Sequence, residues 1–526
     1  MNDCHAVLLD IVSIQTYIFQ SNKLKENLGA SYLIDNIYNK YLSDSLSKVF
    51  GREFDITSWK NKVSEYRCYK DGFDIGYIGG GNALLLFKEK TTAEEFIQEL
   101  TKSLLIHTPG IMTAVALNKL DLDNKNFLKS KEELFAILKE NKRKYLPVTL
   151  IPGHGITSEC THSGFSMDKF NSIEKQYVSA GTHAKIEASK NAKKDIHNKY
   201  KDELKDEFCF TDQLNKVGQI RGADSHIAIV HIDGNNIGDR FKNMDSLEKT
   251  RDLSKTMGKA TEEAFSDLLR YIVDNYEKIM ECLGFDNSSE DERLRFPVSE
   301  KFKKKILPIR PIIIGGDDIT FVSDGKLGIY FSKLFIEAFE QKKVSDGEKL
   351  TACAGIAIIK TKYPFYRGYL LAEELCRNAK RERIARKDMH SSYIDFHIST
   401  GGLAGALDLI RKKYFKVSQG NLLFRPYVLA PKDGDEQSFD LLLDKTGELK
   451  DFPKNKIAEL RQVLTLSKEA TEQFVQEMKY RGRKFPEIPG RGYEVALFEH
   501  KKTPYFDMIE LLEYYPLDLH RDGDRA

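Results

Sequence analysis

The sequence predicts a mixed α/β (α+β) chain: two copies of one sheet-and-helix domain, then a mostly helical region. Three observations carry this. Residues 311–322 set two apolar, β-branched runs around Gly315-Gly316-Asp317-Asp318, the pattern of a hairpin with two adjacent carboxylates at its tip. Residues 227–232 form another strand-like run, closed by Asp233 and the turn-forming Gly234-Asn235-Asn236. Near the N-terminus both patterns recur. Residues 6–15 can be laid on 228–238 with Asp10 opposite Asp233 and Ile14 opposite Ile237. Residues 77–87 copy the hairpin, with Gly81 and Asn82 where the second copy has Asp317 and Asp318. A repeat this long means two copies of one domain.

The elements follow in order. The first copy covers 1–145, with helices expected at 23–48, 92–107 and 131–143 and a strand at 111–117. Residues 146–222 form an insertion whose Lys-rich stretch 188–204 reads as helix. The second copy covers 223–400. Its Asp233 strand is followed by a helical stretch that begins by about Ser246 and continues over 253–282. A polar, charged loop at 286–306 comes next. The hairpin, a helix, a strand at 352–359, a helix at 366–385 and a strand at 393–398 complete it. Residues 401–526 read as mostly helical, with the clearest amphipathic run at 457–478.

Asp317 and Asp318 repel each other unless a cation neutralises them. Oxygen-only ligands favour magnesium or manganese. With Asp233 as third carboxylate, the set suits two ions, one activating a ribose hydroxyl and one steadying a leaving pyrophosphate. Backbone groups of Gly234, Asn235, Asn236, Gly315 and Gly316 are expected to approach phosphate oxygens. The first copy keeps only Asp10, too little charge for two ions, and reads as catalytically silent. Asn82 and the 79–81 backbone suit contact with an acceptor nucleotide or, equally, a plain turn.

The Asp233 strand and the Gly-Gly-Asp-Asp hairpin together resemble the palm of the large subunit of type III CRISPR effector complexes, the CRISPR polymerase family, related to diguanylate and other nucleotidyl cyclases. Residues 10–19, followed by Ser21, 23–25 and 29–33, resemble that family's first palm. The resemblance implies two ferredoxin-like palm domains, the first degenerate, plus a helical C-terminal domain. It implies metal binding and catalysis by Asp233, Asp317 and Asp318, with ATP as substrate. It also implies that Lys380, at the end of an Ala-Lys helix, meets triphosphate oxygens, with Arg381, Arg383 and Arg386 adding positive charge. Guide and target RNA with further subunits are the implied partners, and a downstream effector is the reader of the product. Zinc, frequent between the family's palms, is not expected here. Cys160 stands with His154 and His162, and only His183 or Cys209 could join them. No His-Asp pair occurs, so the family's HD nuclease is not expected.

Composition sets the outer bounds. Across 526 residues the net charge is +2, against a chain wholly devoted to nucleic-acid binding. Seven scattered cysteines (Cys4, Cys68, Cys160, Cys209, Cys282, Cys353, Cys376) without a CxxC pattern fit a reducing cytoplasm. No apolar run of about eighteen residues marks a membrane span, and the start lacks signal-peptide character. The expected function is a cytoplasmic nucleotidyltransferase making a 3′–5′-linked messenger from ATP, a cyclic oligoadenylate first. A cyclic dinucleotide, or AMP joined to S-adenosylmethionine, stays open as product. The alternative is a non-catalytic scaffold that senses target RNA within an RNA-guided ribonucleoprotein.

Overall fold

The structure is a computed structural model describing residues 3–56, 72–123, 126–144, 148–153, 155–220, 222, 225–399, 405–430, 434–489 and 491–519. Cys68 and His154 lie outside the described residues. Two sheets organise it. The first has the order β2-β3-β1-β4, with β1 at Asp3–Val12, β2 at Phe73–Gly79, β3 at Asn82–Phe87 and β4 at Met112–Asp121. The second comprises β5 at His226–Gly234, β6 at Ile309–Gly315, β7 at Asp318–Asp324, β8 at Ala352–Lys360, β9 at Ser392–Ile398 and β10 at Tyr427–Leu429. Its order is β6-β7-β5-β8-β9-β10, so its first four positions repeat the first sheet.

Both central strands read as unbroken apolar runs because both of their faces are covered. In β1, Val7, Leu9 and Ile11 face one core while Cys4, Ala6 and Leu8 face another. In β5, Ala228, Val230 and Ile232 separate from Ile227 and Ile229 in the same way. The first of those cores holds residues from both sheets, so the two copies share packed interior.

The repeat extends to fine detail. Asp10 pairs with Asn82 across β1 and β3, and Asp233 with Asp318 across β5 and β7. Each hairpin has a register shift at the matching place, between Ile75 and Tyr77 and between Pro311 and Ile313. Ser13 and Asn236, three residues past the aspartates, both adopt positive φ, at 57° and 61°. Each starts a short helix, α1 at Ile14–Phe19 and, in the second copy, Ile237–Asn243.

In the first copy, α2 at Leu24–Asn36 runs through a π-helical turn, Ile37–Tyr41, into Leu42–Phe50. Further on lie α3 at Phe127–Asn141 and, in the insertion, α4 at Ala180–Lys199. The insertion helix starts earlier than its Lys-rich stretch because the Ser179 side chain caps it, accepting from Thr182 N. The second copy adds α5 at Ile237–Asn243, which the sequence reading missed, α6 at Leu247–Asp274, capped by Ser246, and α7 at Phe365–Ala385.

The palms exchange contacts through equivalent helices. Ser31 on α2 donates to Ile312 O at 2.5 Å, and Ser254, at the same place on α6, donates to Ile78 O at 3.0 Å. Arg251 of α6 reaches further, bonding Asp74 and the Ile75 and Gly76 carbonyls of β2.

The C-terminal region is mostly helical, as expected, with one strand, Tyr427–Leu429, that joins the second sheet as β10, beside β9. Arg425 explains the attachment: it is fully buried and pairs with Asp507 and Glu510 of the helix Tyr505–Tyr514. The 457–478 run is two helices, Lys454–Val463 and Lys468–Tyr480, because Ser467 caps the second by accepting from Ala470 N. Among the described residues, no helix is long and apolar enough to cross a membrane.

Candidate active site

Three carboxylates meet at one end of the second sheet. Asp233 ends β5, and Asp318, its cross-strand partner, begins β7. The turn between β6 and β7 brings in Asp317. Gly234 N donates to Asp317 O at 3.1 Å. A Cβ on Gly234 would fall 2.9 Å from Asp317 Cβ and 2.8 Å from Ile237 Cγ1, so only glycine lets the turn come this close. Thr261 of α6 donates to Gly316 O at 2.6 Å and fixes the tip.

Electrostatics follow from the crowding. Burial, with Asp233 and Asp318 beside it, pushes Asp317 up to about 7. Lys380, near the end of α7, pairs with Asp233 and donates to Gly234 O at 3.0 Å. Burial opposes its charge, but Asp233 outweighs this and the lysine is held above its ordinary range.

His231 is a site residue that the sequence reading missed. Its Nδ1 stands 3.2 Å from Asp318 Oδ1 and 3.2 Å from Thr320 Oγ1. The signal was present: residues two apart on a strand share a face, so a histidine two before Asp233 in an apolar run points the same way.

Among the described residues, no three His, Cys, Asp or Glu side chains are gathered closely enough to hold one metal ion. Lys380 takes the place beside Asp233 that a cation would take. The donors nonetheless suit a divalent ion. All are oxygens, Asp318 Oδ1 is buried without a hydrogen-bond partner, and Asp233 and Asp318 add to burial in raising Asp317.

Several residues named from the sequence turn elsewhere. Asn235 is buried, its side chain donating to Thr351 Oγ1 at 3.1 Å, so it does not face a phosphate. The amides of Gly234 and Asn235 are already bonded, to Asp317 O and Thr351 O, which removes them from phosphate binding. Asn236 accepts from Arg383 through its side chain at 2.8 Å. Arg381 and Arg386 face Asp408 and Asp435 and do not join Lys380. Gly315 is exposed at the tip. Cys160 lies against Thr182, His162 against Glu26, His183 against Asn171 and Cys209 against Lys304 O, so they do not converge.

A cavity of about 630 Å³ lies between the palms. Tyr77, Asn82 and the Gly80 backbone line it from the first palm; Phe241, Met257 and Asp317 line it from the second. The two hairpin tips touch above it: a Cβ on Gly316 would lie 3.3 Å from Gly80 N. Asn82 faces this space but donates to Gly80 O of its own turn at 3.2 Å.

The first palm also keeps a basic partner. Lys142, directly after α3, pairs with Asp10 at 2.6 Å, as Lys380 of the corresponding α7 pairs with Asp233. The sequence reading missed Lys142 because it lies in an ordinary charged helix end.

Matching sheet orders, matching bulges and an acid-bearing hairpin define a protein with two palm domains. Residues 226–390 match the family described as Cas10/Cmr2, second palm domain. Among solved structures, it is similar to a Csm1–Csm4 cassette in complex with cA4, at 13% identity over 98% of this chain and 69% of that one, with a TM-score of 0.49. The same cassette in complex with one ATP gives 13% identity over 97% and 70%, with a TM-score of 0.47. The Csm1–Csm4 subcomplex in the type III-A CRISPR-Csm interference complex gives 14% over 97% and 70%, also at 0.47. No curated protein matches the sequence.

Proposed function

We propose that the chain is a metal-dependent nucleotidyltransferase that converts ATP into a 3′–5′-linked messenger, a cyclic oligoadenylate or related AMP conjugate, in type III CRISPR defence. The observation that carries this is the meeting of Asp233, Asp317 and Asp318 at one end of the second sheet, with Asp317 lining a cavity between two palms. A pure scaffold gains nothing from clustering carboxylates that repel one another.

The chemistry follows from the residues. The cavity is large enough for a nucleotide base, with Tyr77 and Phe241 as apolar walls. A base seated there brings its sugar and phosphates to the mouth, where Asp317 stands. Divalent ions held by Asp233, Asp317 and Asp318 would neutralise the acids and polarise the phosphate. Lys380, now paired with Asp233, has triphosphate oxygens as stronger competitors for its charge. Its release to them frees the Asp233 carboxylate as substrate arrives. The first palm, with Asp10 already neutralised by Lys142, holds the acceptor. Further subunits with guide and target RNA gate the reaction.

The test is mass spectrometry of products from protein given ATP and manganese, with and without S-adenosylmethionine. An Asp317→Ala/Asp318→Ala double variant runs alongside. A nucleotide formed by wild type and absent from the variant supports the enzyme, and its mass names the messenger. If the complex with its RNA also makes nothing, the catalytic reading fails.

A further inference from the structure

Arg310 is a charged side chain that the site above leaves unused. It lies on β6, the strand that runs into the Gly315–Asp318 turn, and is only 2% exposed. Its Nε has no hydrogen-bond partner. Its guanidinium rests 5.5 Å over the Phe210 ring, and burial lowers its affinity for the proton to about 10 despite nearby Asp212. Buried charges in folded proteins are ordinarily paired and hydrogen-bonded, since an uncompensated one is strongly destabilising.

The surroundings are positive. A ladder of rings leads outward from Arg310: Phe210, then His197 at 6.5 Å, then the exposed ring of Phe302 a further 6.4 Å on. Lys193 stands 5.4 Å over Phe302. Lys193, Lys304 and Arg310 together depress His197, after burial, because each repels its protonated form. The opposing acids are at the rim. Asp212 lies 3.6 Å from Lys193, and Asp206, 78% exposed in its side chain, lies 3.4 Å from Lys304. Lys193 and Lys304 are themselves partly open to solvent, so an anion can reach them from outside.

We propose that Lys193, His197 and Lys304, backed by Arg310, form a phosphate-binding site remote from the catalytic acids, which seats a phosphate of a nucleotide or single nucleic-acid strand with Phe302 as its base platform. Lysines meet phosphate as point charges, and an arginine fork beneath them adds a further positive charge at neutral pH. An exposed aromatic ring among cations is the arrangement that stacks an unpaired base. The seat rests on β6, so its occupant bears on the strand that ends in the catalytic turn. The site does not depend on the proposed catalysis.

The test uses the full chain in EDTA, so that divalent ions play no part. Anisotropy of a labelled ten-nucleotide oligoadenylate without triphosphate reports strand binding; thermal denaturation with inorganic phosphate reports the free anion. Wild type should bind, with affinity falling as salt rises. Lys193→Ala/Lys304→Ala should weaken binding about tenfold or more at low salt. Arg310→Met should weaken it while leaving thermal stability equal or higher, because it removes an unpaired buried charge. Phe302→Ala should weaken the oligonucleotide but not the response to phosphate; if both are unchanged the seat is for the free anion, which still supports the phosphate site. No binding by wild type overturns the proposal. So does wild-type affinity in both the lysine and Arg310 variants, and so does a stability loss in Arg310→Met with affinity unchanged, which would make the arginine a structural group only.

Discussion

The two palms are the same machine built with different charge. Both have the β2-β3-β1-β4 order, a bulge at the same place in the hairpin and a positive-φ residue before the short helix. Both pair the aspartate near the end of the central strand with a lysine at or just past the end of the corresponding helix. At equivalent helix positions, Tyr38 and Thr261 each hold a carbonyl of their own hairpin turn, Gly81 O and Gly316 O. The difference is at the tip, where Gly81 and Asn82 replace Asp317 and Asp318. The backbone of the fold therefore does not need the acids, and their presence in one copy alone is what calls for a function.

The largest expected effect tests that difference. Asp317→Ala/Asp318→Ala should lower product formation by a factor of about 10³ or more. Asp10→Asn should leave it within about tenfold if the first palm contributes position and no chemistry. Initial rates of nucleotide release measure both. Equal losses would mean that the palms act as one symmetric site.

A second asymmetry is at the interface. The second palm has Arg251 in α6 where the first has Leu28 in α2. Arg251 and Asp74 are both buried, with side chains 4% exposed. Arg251→Met strands Asp74 and should cost about 3 kcal/mol of unfolding free energy, read by urea titration. Arg251→Met/Asp74→Leu should recover most of this, because apolar replacement of a buried pair is often close to neutral. No loss in the single variant would place the palms' mutual grip in the apolar core instead.

Gly234→Ala tests the close approach of turn and strand. The added methyl must displace either Asp317 or Ile237. Product formation should fall about 10²-fold, from misplacement of a carboxylate, with a stability change near 1 kcal/mol. A large loss of stability with unchanged specific activity would show that the turn relaxes without moving Asp317.

The sheets also differ at the far end of the hairpin's second strand. The second palm has Asp324, buried and raised to about 7 by burial, where the first has exposed Lys88. The folded form keeps this carboxyl protonated at pH values where the unfolded chain has released its proton. Its folded pKa is raised, so its contribution is present below about pH 4 and is lost as pH rises toward 7. Asp324→Asn should therefore flatten that part of the stability–pH curve, by about 4 kcal/mol at pH 7. Lys88→Gln should not change it. Chemical denaturation at pH 4.5 and 7.5 separates the two.

How much of this the sequence revealed depended on what each signal encodes. Strand ends and turns were legible, because alternating apolar runs and Gly/Asp clusters report local geometry; Asp10 and Asp233 align as the sequence places them. The same holds for Ser246, a capping serine at a helix start. Asn235 and Arg383 were misread because their partners, Thr351 and Asn236, are set by tertiary packing that composition does not carry. Lys142 and Arg310 went unnoticed for a related reason. One lies in an ordinary charged helix end and the other in an ordinary strand, and only the folded chain shows that one pairs with Asp10 while the other's Nε is buried without a hydrogen-bond partner.

The smallest effect asks whether charge alone silences the first palm. Asn82→Asp restores a carboxylate in the register that Asp318 holds opposite Asp233. Like charges directly opposite on adjacent strands cost roughly 0.5–1 kcal/mol, so the thermal midpoint should drop at low salt and recover as salt screens the pair. Manganese should stabilise the variant no more than wild type. Gly81 adds no third acid, and Gly80 and Gly81 both adopt positive φ, whereas only Gly316 does so in the second turn. A carboxylate at 81 would thus meet a strained backbone and the Ile14 side chain, 2.3 Å from its Cβ. Extra manganese stabilisation of Asn82→Asp would show instead that turn shape is no barrier, and that the two palms are separated by charge count alone.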